Sequence, residues 1–237
     1  MKLICFPYAG ASSSVFLKWR KYLDGIKIIP VDPPGRGKRL REPLCSKIEE
    51  MLDDIKKQIL SLIDNEEEYS FYGHSMGCLL IFDLLHEMQK MNLPMPVHVF
   101  LSGKNPPNVA VKTSIHQLDD AKFMEKLLEM GGMDTRFFEN PTLSKIFLPV
   151  LRKDLGIVEK YQYKDKKQKL PIDVTMFFSP QDSWTDSKHI NKWADFISGS
   201  FDLYHFNGDH FFIFNYEEKI TGIIRETLSN KNNIIPY

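Results

Sequence analysis

Short apolar runs alternate along the chain with longer segments whose apolar residues recur at helical spacing. The runs typical of buried strands are residues 2–8, 27–32, 69–73, 97–103, 172–178 and 201–206. In the helical segment at residues 46–63, one face carries Ile48, Met51, Leu52, Ile55, Ile59 and Leu62. Strands that alternate with helices predict an α/β fold, with a mostly parallel sheet and helices on both of its faces.

This alternation stops between about residues 112 and 165, where two helical patterns follow each other with no strand between them. It resumes with the run at 172–178. We therefore predict a single domain over residues 1–237 with an all-helical insertion at approximately 112–165. The apolar positions of the insertion are Phe123, Leu127, Leu128, Met130, Ile146, Phe147, Val150 and Leu151. They offer more apolar surface than a short helical pair buries internally, so we expect the insertion to cover another part of the molecule.

The chain has 237 residues, with 31 Lys and Arg against 31 Asp and Glu, so its net charge is zero. No overall field favours nucleic acid or an anionic membrane. Three cysteines without metal-ligand spacing predict free thiols, no bound metal and a cytoplasmic location. The first apolar run is too short for a signal-peptide core, and no segment reaches the ~20 apolar residues of a membrane span. We expect a monomer that needs no cofactor.

The sequence GHSMG at residues 73–77 lies between a strand-like run and an apolar helical segment. It matches G-x-S-x-G, which in this context places a nucleophilic serine, here Ser75, on a sharp strand-to-helix turn. Gly73 and Gly77 relieve the crowding of such a turn. The N–H group of Met76 lies at the start of the helix, where it lacks an intrahelical acceptor and can stabilise an oxyanion. An ordinary Gly/Ser turn before a helix is the alternative.

A serine nucleophile needs a base and an acid that orients the base. In the fold that carries this motif, the chain order is serine, acid, histidine. Three histidines follow the insertion: His189, His205 and His210. His189 falls in a helical stretch and His205 in a strand. His210 lies in the loop after the last strand, from which a side chain can reach over the sheet, and it is the predicted base.

The loops after two other strands supply the remaining candidates. Asp182 follows the run at 172–178, at the strand end where the sites of parallel sheets gather, so it is the predicted acid. Asp186 is the alternative acid, although it is also placed to cap the next helix. A second oxyanion donor is expected in the small-residue loop after the first strand. Ala9 is the predicted donor and Tyr8 the alternative.

A basic loop follows the second predicted strand and contains Arg36, Lys38, Arg39 and Arg41. A solvated loop is the default interpretation. The sharper hypothesis is that Arg36, Arg39 and Arg41 contact phosphate or an acidic partner. A third interpretation is structural, because arginine beside proline and glycine often ties a loop to buried carbonyls. A second basic run, at residues 164–169, is interpreted as a linker or as a second cluster for the same partner.

The chain resembles the stand-alone type II thioesterases of nonribosomal peptide and polyketide synthases, within the α/β-hydrolase superfamily. The blocks that carry the resemblance are FPYAGAS, PPGRGKRLREP, GHSMG, SPQDSW, NGDHFFIF and the lid-like segment LPVLRKDLGIVEKYQY. The resemblance implies hydrolysis of acyl groups from the phosphopantetheine arm of acyl or peptidyl carrier proteins, which clears stalled or wrongly primed synthases. It also places the catalytic triad on Ser75, Asp182 and His210.

Three alternatives remain open at this stage. A small-molecule carboxylesterase or lipase would share the serine turn and the triad. A releasing or cyclising thioesterase would differ in the nucleophile that resolves the acyl-enzyme. A catalytically inactive adaptor would bind carrier proteins without hydrolysis. For the enzyme, we expect the helical insertion to lie over Ser75 as a mobile lid.

Overall fold

The computed structural model of the protein describes residues 1–63, 67–111, 113–129, 131 and 140–232. In these residues, a sheet of six strands consists of β1 (Lys2–Phe6), β2 (Lys27–Pro30), β3 (Tyr69–His74), β4 (Val99–Ser102), β5 (Val174–Phe178) and β6 (Phe201–His205). The strand order is β2-β1-β3-β4-β5-β6, and every pairing is parallel. The predicted α/β fold is confirmed, and each predicted strand is present.

The helices of the described residues are α1 (Ile48–Leu62), α2 (Met76–Lys90), α3 (Asp120–Glu129), α4 (Pro141–Glu159), α5 (Ser187–Ile190) and α6 (Glu217–Asn232). None of them is both long and apolar enough to cross a membrane. The segment Ser13–Lys21 is a 3-10 helix. Its buried residues Ser13, Phe16 and Trp19 recur at every third position, which is the period that aligns one face of a 3-10 helix.

Successive residues of β1 point to opposite faces of the sheet, and both faces are covered. Ile4 and Phe6 pack in one apolar core with residues of α1 and α2. Leu3 and Cys5 pack in a second core with the Ser13–Lys21 segment and α6. Strands β1, β3, β4 and β5 are buried at every position, as expected for parallel strands between two helical layers. Each large apolar side chain buried in this way contributes about 1.5–3 kcal/mol.

The strand order reverses direction at β1, because β2 lies on one side of it and β3 on the other. At such a switch point, the loops that leave the carboxyl ends of the two strands diverge and open a crevice. The loop after β1 contains Ala9, and the turn after β3 contains Ser75. The topology therefore brings these two candidates to the same edge of the sheet.

The described part of the helical insertion contains α3, α4 and a 3-10 segment at Ile115–Gln117, and no strand. It has an apolar core of its own, formed by Ile115, Phe123, Leu127, Leu151 and Leu155. Ala9 and Trp184, from the loops at the carboxyl edge of the sheet, pack against that core. Met130 and residues 112 and 132–139 of the predicted insertion lie outside the described residues. The assignment of residues 1–237 to a single domain stays a prediction.

Candidate active site

Ser75 forms the corner between β3 and α2. Its φ of 53° and ψ of −112° lie outside the regions that residues other than glycine ordinarily adopt. Hydrogen bonds hold the corner on both sides. The Ser75 N–H donates to the Ser102 carbonyl at 2.9 Å, and the Cys78 N–H donates to the Ser75 carbonyl at 3.0 Å. The strained residue lies at the carboxyl edge of the sheet, where it lines a large cavity.

The two glycines beside Ser75 have no room for a side chain. A Cβ atom at Gly73 would lie 2.6 Å from Cδ1 of Ile81 and 2.8 Å from the carbonyl carbon of Gly77. A Cβ atom at Gly77 would lie 2.7 Å from the carbonyl oxygen of Phe6. Backbone atoms cannot give way by this much without moving β1, β3 or α2. The close approach of these elements around the serine therefore requires glycine at both positions.

Asp182 and His210 lie in the loops after β5 and β6 and contact each other. His210 Nδ1 and Asp182 Oδ2 are 2.8 Å apart, and each residue is 2% exposed. The other carboxylate oxygen, Oδ1, accepts a hydrogen bond from the Trp184 N–H at 2.8 Å. Because a carboxylate only accepts hydrogen bonds, Nδ1 carries the proton and Nε2 remains available as a base. This is the tautomer that a serine-activating histidine requires.

The alternative acid and bases make different contacts. Asp186 caps α5 by accepting a hydrogen bond from the Lys188 N–H at 2.9 Å. His189 lies 3.1 Å from that same carboxylate, within the same short helix. His205 is exposed on the edge strand β6. The described residues thus bring Asp182 together with His210, while the catalytic roles of both stay a prediction.

The cavity beside Ser75 has a volume of about 870 Å³. Ser75 and His210 line it together with the loop after β1 and the described part of the helical insertion. The apolar side chains that line it from α3 and α4 are Leu127, Ile146, Phe147, Val150, Leu151, Leu155 and Val158. A volume of this size accommodates a ligand as large as a drug molecule, and its apolar lining suits a hydrocarbon chain.

The loop after β1 contains backbone donors that are free to bind an oxyanion. The Gly10 N–H donates to Asp154 at 2.7 Å, and the Ala11 N–H donates to the Tyr8 carbonyl at 3.1 Å. The N–H groups of Tyr8 and Ala9 have no acceptor in the described part of the chain. Met76 is the first residue of α2, so its N–H is one of the unpaired donors at the helix start. The geometry is compatible with either Ala9 or Tyr8 as the second donor.

Comparison with known proteins places the chain in a family. The model of the thioesterase domain family matches residues 1–229. The chain belongs to this family. The rat medium-chain S-acyl fatty acid synthase thioesterase is 34% identical to this chain, over 90% of this chain and 81% of the rat protein. The gramicidin S biosynthesis protein GrsT of Aneurinibacillus migulanus is 30% identical, over 92% of this chain and 84% of its own length.

Solved structures agree with this assignment. The crystal structure of ClbQ, from the colibactin NRPS/PKS pathway, superposes with a TM-score of 0.92 at 30% identity and covers 99% of both chains. RedJ, a thioesterase of prodiginine biosynthesis in Streptomyces coelicolor, gives a TM-score of 0.87 at 29% identity, over 95% of this chain and 84% of its own. The protein is therefore a thioesterase with the α/β-hydrolase fold, as its motifs indicated.

His74, the residue before Ser75, packs against the predicted base of this thioesterase. His74 is fully buried, with its ring centroid 4.9 Å from that of His210. Its Nδ1 lies 2.8 Å from the Ser102 hydroxyl oxygen. Burial holds the pKa of His74 well below its usual value, and the positive charge of His210 acts in the same direction. His74 thus stays neutral and adds no charge beside a protonated His210.

In the basic loop of the thioesterase, the structure contradicts the hypothesis that Arg36 contacts phosphate or an acidic partner. This residue is 3% exposed, and its guanidinium makes a two-point ion pair with Asp154 of α4, with Nη2 2.9 Å from Oδ1 and Nη1 bound to Oδ2. Arg36 is therefore structural and unavailable to a partner, because a guanidinium buried this deeply needs a counter-charge. The Arg39 guanidinium is also engaged, with Nη2 2.7 Å from Asp54 Oδ1. Arg41 is exposed, and its contact with a partner stays a prediction.

Asp154 is a functional candidate that the sequence reasoning missed. Its Oδ2 atom accepts hydrogen bonds from both Arg36 and the Gly10 N–H, so it ties α4 to the loop that contains Ala9. A signal for it does exist in the sequence. Asp154 lies among the apolar residues Val150, Leu151 and Leu155 on one face of a predicted helix, and a charge on an apolar face needs a buried partner.

Lys104 is the second residue that was missed. It is 9% exposed and lines the same cavity as Ser75 and His210. Burial lowers the pKa of its amine to about 8, against the opposing effects of Cys78 and Asp182. The rule that selected Asp182 also applies to it, since Lys104 lies two residues beyond the carboxyl end of the buried strand β4.

Proposed function

We propose that this thioesterase hydrolyses acyl groups from the phosphopantetheine arm of carrier proteins in nonribosomal peptide or polyketide synthesis, through an acyl-enzyme on Ser75. The observation that carries the proposal is the hydrogen bond between Asp182 and His210 beside a cavity that Ser75 also lines. GrsT and ClbQ support the biosynthetic setting, because both are named for pathways of this kind.

The mechanism is a two-step acyl transfer. His210, oriented by Asp182, accepts the proton of the Ser75 hydroxyl through Nε2 as the serine oxygen attacks the thioester carbonyl. The N–H groups of Met76 and Ala9 stabilise the oxyanion. Removing one such donor typically lowers the rate by a factor of ~10²–10³. The carbonyl–sulfur bond then breaks and the thiolate takes a proton. Water activated by the same histidine releases the acid and restores the serine.

The helical insertion acts as a lid in this proposal. Leu127 of α3 and Leu151 of α4 line the cavity that Ser75 enters, so these helices shape the chamber for the acyl chain. Movement of the insertion would admit the arm and then exclude water during acylation. The exposed Arg41 is proposed to contact the acidic surface of the carrier protein. A cytoplasmic location is part of the proposal, because Cys5, Cys45 and Cys78 are all free thiols.

Fatty acyl release is a second candidate function. The identity of 34% to the rat medium-chain thioesterase favours it, and the apolar lining of the cavity is compatible with a chain of that length. Both candidates share the chemistry and differ in the acyl group and the carrier. A panel of carrier-bound acetyl, aminoacyl and decanoyl thioesters separates them by their relative kcat/KM.

The test of the proposed function compares wild type with Ser75→Ala. A fluorophosphonate probe should label wild type at Ser75 and leave the variant unlabelled, while the circular dichroism of the two proteins should agree. Wild type should hydrolyse an acyl-carrier thioester with a higher kcat/KM than it shows for acyl-CoA or a p-nitrophenyl ester. Near-normal turnover by Ser75→Ala would overturn the mechanism. A preference for the p-nitrophenyl ester would favour a carboxylesterase, and the absence of both labelling and turnover in wild type would favour an adaptor.

A further inference from the structure

The cavity is lined by a lysine whose ammonium group binds no other described residue of the protein. Lys104 follows β4 and is 9% exposed, and it lines the cavity beside Ser75. Its Nζ atom has neither a hydrogen-bond acceptor nor a carboxylate partner within the part of the chain that the structure describes. A buried cation usually has such a partner, because burial removes the water that would otherwise solvate it. The unpaired amine therefore points to a ligand.

The backbone around this lysine is fixed. The Lys104 carbonyl accepts a hydrogen bond from Trp193 Nε1 at 2.9 Å, and the Gly103 N–H donates to the Phe177 carbonyl at 3.1 Å. Gly103 has a φ of 60°, a conformation in which glycine is unstrained. The amine is thus presented from a rigid support rather than from a loose surface loop.

The backbone that carries Lys104 lies close to the reacting centre. A Cβ atom at Gly103, the residue before it, would lie 3.5 Å from Cε1 of His210. The titratable groups that act on the Lys104 amine are the Asp182 carboxylate and the Cys78 thiol. Burial raises the pKa of that thiol to about 12, so it stays neutral. The pKa of about 8 leaves most of the lysine protonated at pH 7.

The wall of the cavity that Lys104 lines is mostly apolar, with polar side chains such as Asn105, Thr113 and Thr185 among the apolar ones. Among the apolar lining residues, Val109, Ala110 and Val111 follow Lys104 in the chain, and Leu155 and Val158 line the cavity from α4. A simple hydrocarbon chain would leave the ammonium unpaired among them. A chain that ends in a carboxylate would pair with it and keep its methylene groups against the apolar wall.

We propose that Lys104 binds an anionic group on the acyl chain, and that this thioesterase therefore prefers acyl groups bearing a terminal carboxylate over neutral ones. The inference rests on the proposed thioester hydrolysis and names its substrate class. The phosphate of the phosphopantetheine arm is the other anion in the system. It is separated from the thioester by the whole pantetheine chain, whereas Lys104 directly follows Gly103, whose backbone lies near His210. The acyl carboxylate is the better match.

The kinetic test uses pantetheine thioesters in isosteric pairs. Succinyl, glutaryl and adipoyl esters are each compared with the neutral acyl group in which an isopropyl end replaces the carboxylate, such as 4-methylpentanoyl for succinyl. Wild type should favour one carboxylate over its isostere in kcat/KM. Lys104→Met should lose about 10- to 100-fold on that substrate, since a hydrogen bond to a charged group is worth this much. The variant should hydrolyse the neutral isostere as wild type does, and Lys104→Arg should retain the preference.

Several outcomes would overturn the inference. Equal losses of kcat/KM on both members of a pair would indicate that Lys104 is structural. A lower Tm for Lys104→Met would indicate the same, because removing an unpaired buried charge should leave the fold equally or more stable. The same esters on phosphopantetheine form a further arm. If Lys104→Met lost kcat/KM only on the phosphopantetheine esters, whether or not the acyl group carried a carboxylate, the lysine would be assigned to the phosphate of the carrier arm.

A binding measurement separates this inference from the proposed function. In the Ser75→Ala background, calorimetry compares amide analogues of the two acyl groups, in which nitrogen replaces the thioester sulfur. The carboxylate analogue should bind about 10-fold or more tightly than the neutral one, and Lys104→Gln should remove the difference. This result would stand even if no thioester were hydrolysed. Equal binding of both analogues with Lys104 present would refute the inference while leaving hydrolysis untouched.

Discussion

The ion pair between Arg36 and Asp154 joins the loop after β2 to α4, and its removal has a predictable cost. The substitution is Asp154→Asn, which keeps the size of the side chain and removes its charge. Both carboxylate oxygens are in use, Oδ1 by Arg36 and Oδ2 by Arg36 and the Gly10 N–H. An asparagine has one acceptor oxygen, so in either orientation its NH₂ group faces a donor. The Arg36 guanidinium loses its counter-charge as well.

The magnitude follows from burial. Arg36 is 3% exposed and Asp154 is 1% exposed, so water does not replace the lost partner. Breaking a buried pair from one side costs about 3–5 kcal/mol. That is a large part of the roughly 5–15 kcal/mol that stabilises a domain. At about 2–4 °C per kcal/mol for a chain of this size, Tm should fall by roughly 6–20 °C.

The assay is urea and thermal unfolding followed by circular dichroism. The matched control is Glu87→Gln, which breaks the exposed pair of Glu87 with Lys90 at 3.0 Å and should change the free energy of unfolding by less than about 1 kcal/mol. A loss for Asp154→Asn no greater than that of the control would refute the argument from buried charge.

A double variant separates stability from positioning. Replacing both partners, as Arg36→Met with Asp154→Leu, removes the two charges together and should recover most of the lost stability. It still leaves the Gly10 N–H without its acceptor, next to Ala9, the proposed oxyanion donor. We therefore expect kcat to stay reduced with KM for a small thioester little changed. Full recovery of both stability and kcat would mean that the Gly10 contact does not position the loop.

Two further predictions concern the acid and the partner surface. Asp182→Asn should lower kcat by up to ~10⁴ through the wrong His210 tautomer, whereas Asp186→Asn should have little effect; the reverse order in steady-state kinetics would mean that the acid is misassigned. Arg41→Ala should raise KM for a carrier-bound substrate in a salt-dependent way, and it should leave KM for a pantetheine thioester unchanged. Arg39→Ala should instead lower Tm, because Arg39 is bound to Asp54. Equal effects of Arg41→Ala on both substrates would exclude a partner contact.

The strands and the serine corner could be predicted because they depend on residues that are near one another in sequence. An apolar run such as 172–178 has few alternatives to a buried strand. The spacing of Gly73, Ser75 and Gly77 predicts the sharp corner. The structure shows the steric reason for the spacing, because a Cβ atom at Gly77 would lie only 2.7 Å from the carbonyl oxygen of Phe6. Chain order and strand ends likewise selected Asp182 and His210, which the structure brings to 2.8 Å.

Contacts between distant parts of the chain could not be predicted in this way. Arg36 and Asp154 are 118 residues apart, and their pairing depends on how α4 packs over the loop after β2. From sequence alone, Arg36 belongs to a basic loop and resembles its exposed neighbour Arg41. Lys104 was overlooked for a related reason. Its significance comes from having no partner among the described residues, and this becomes evident only once the surroundings of the side chain are known.

The backbone of Ser75 has a consequence for how this chain changes over generations. A residue other than glycine in that conformation costs about 1–3 kcal/mol. Glycine would adopt the same angles without strain. If the chain were selected for folding alone, substitution of Ser75 by glycine would therefore be favoured. A descendant used only to hold carrier proteins would drift to glycine at this position and become more stable. The chain instead retains an unfavourable serine, as expected where the hydroxyl group itself is under selection.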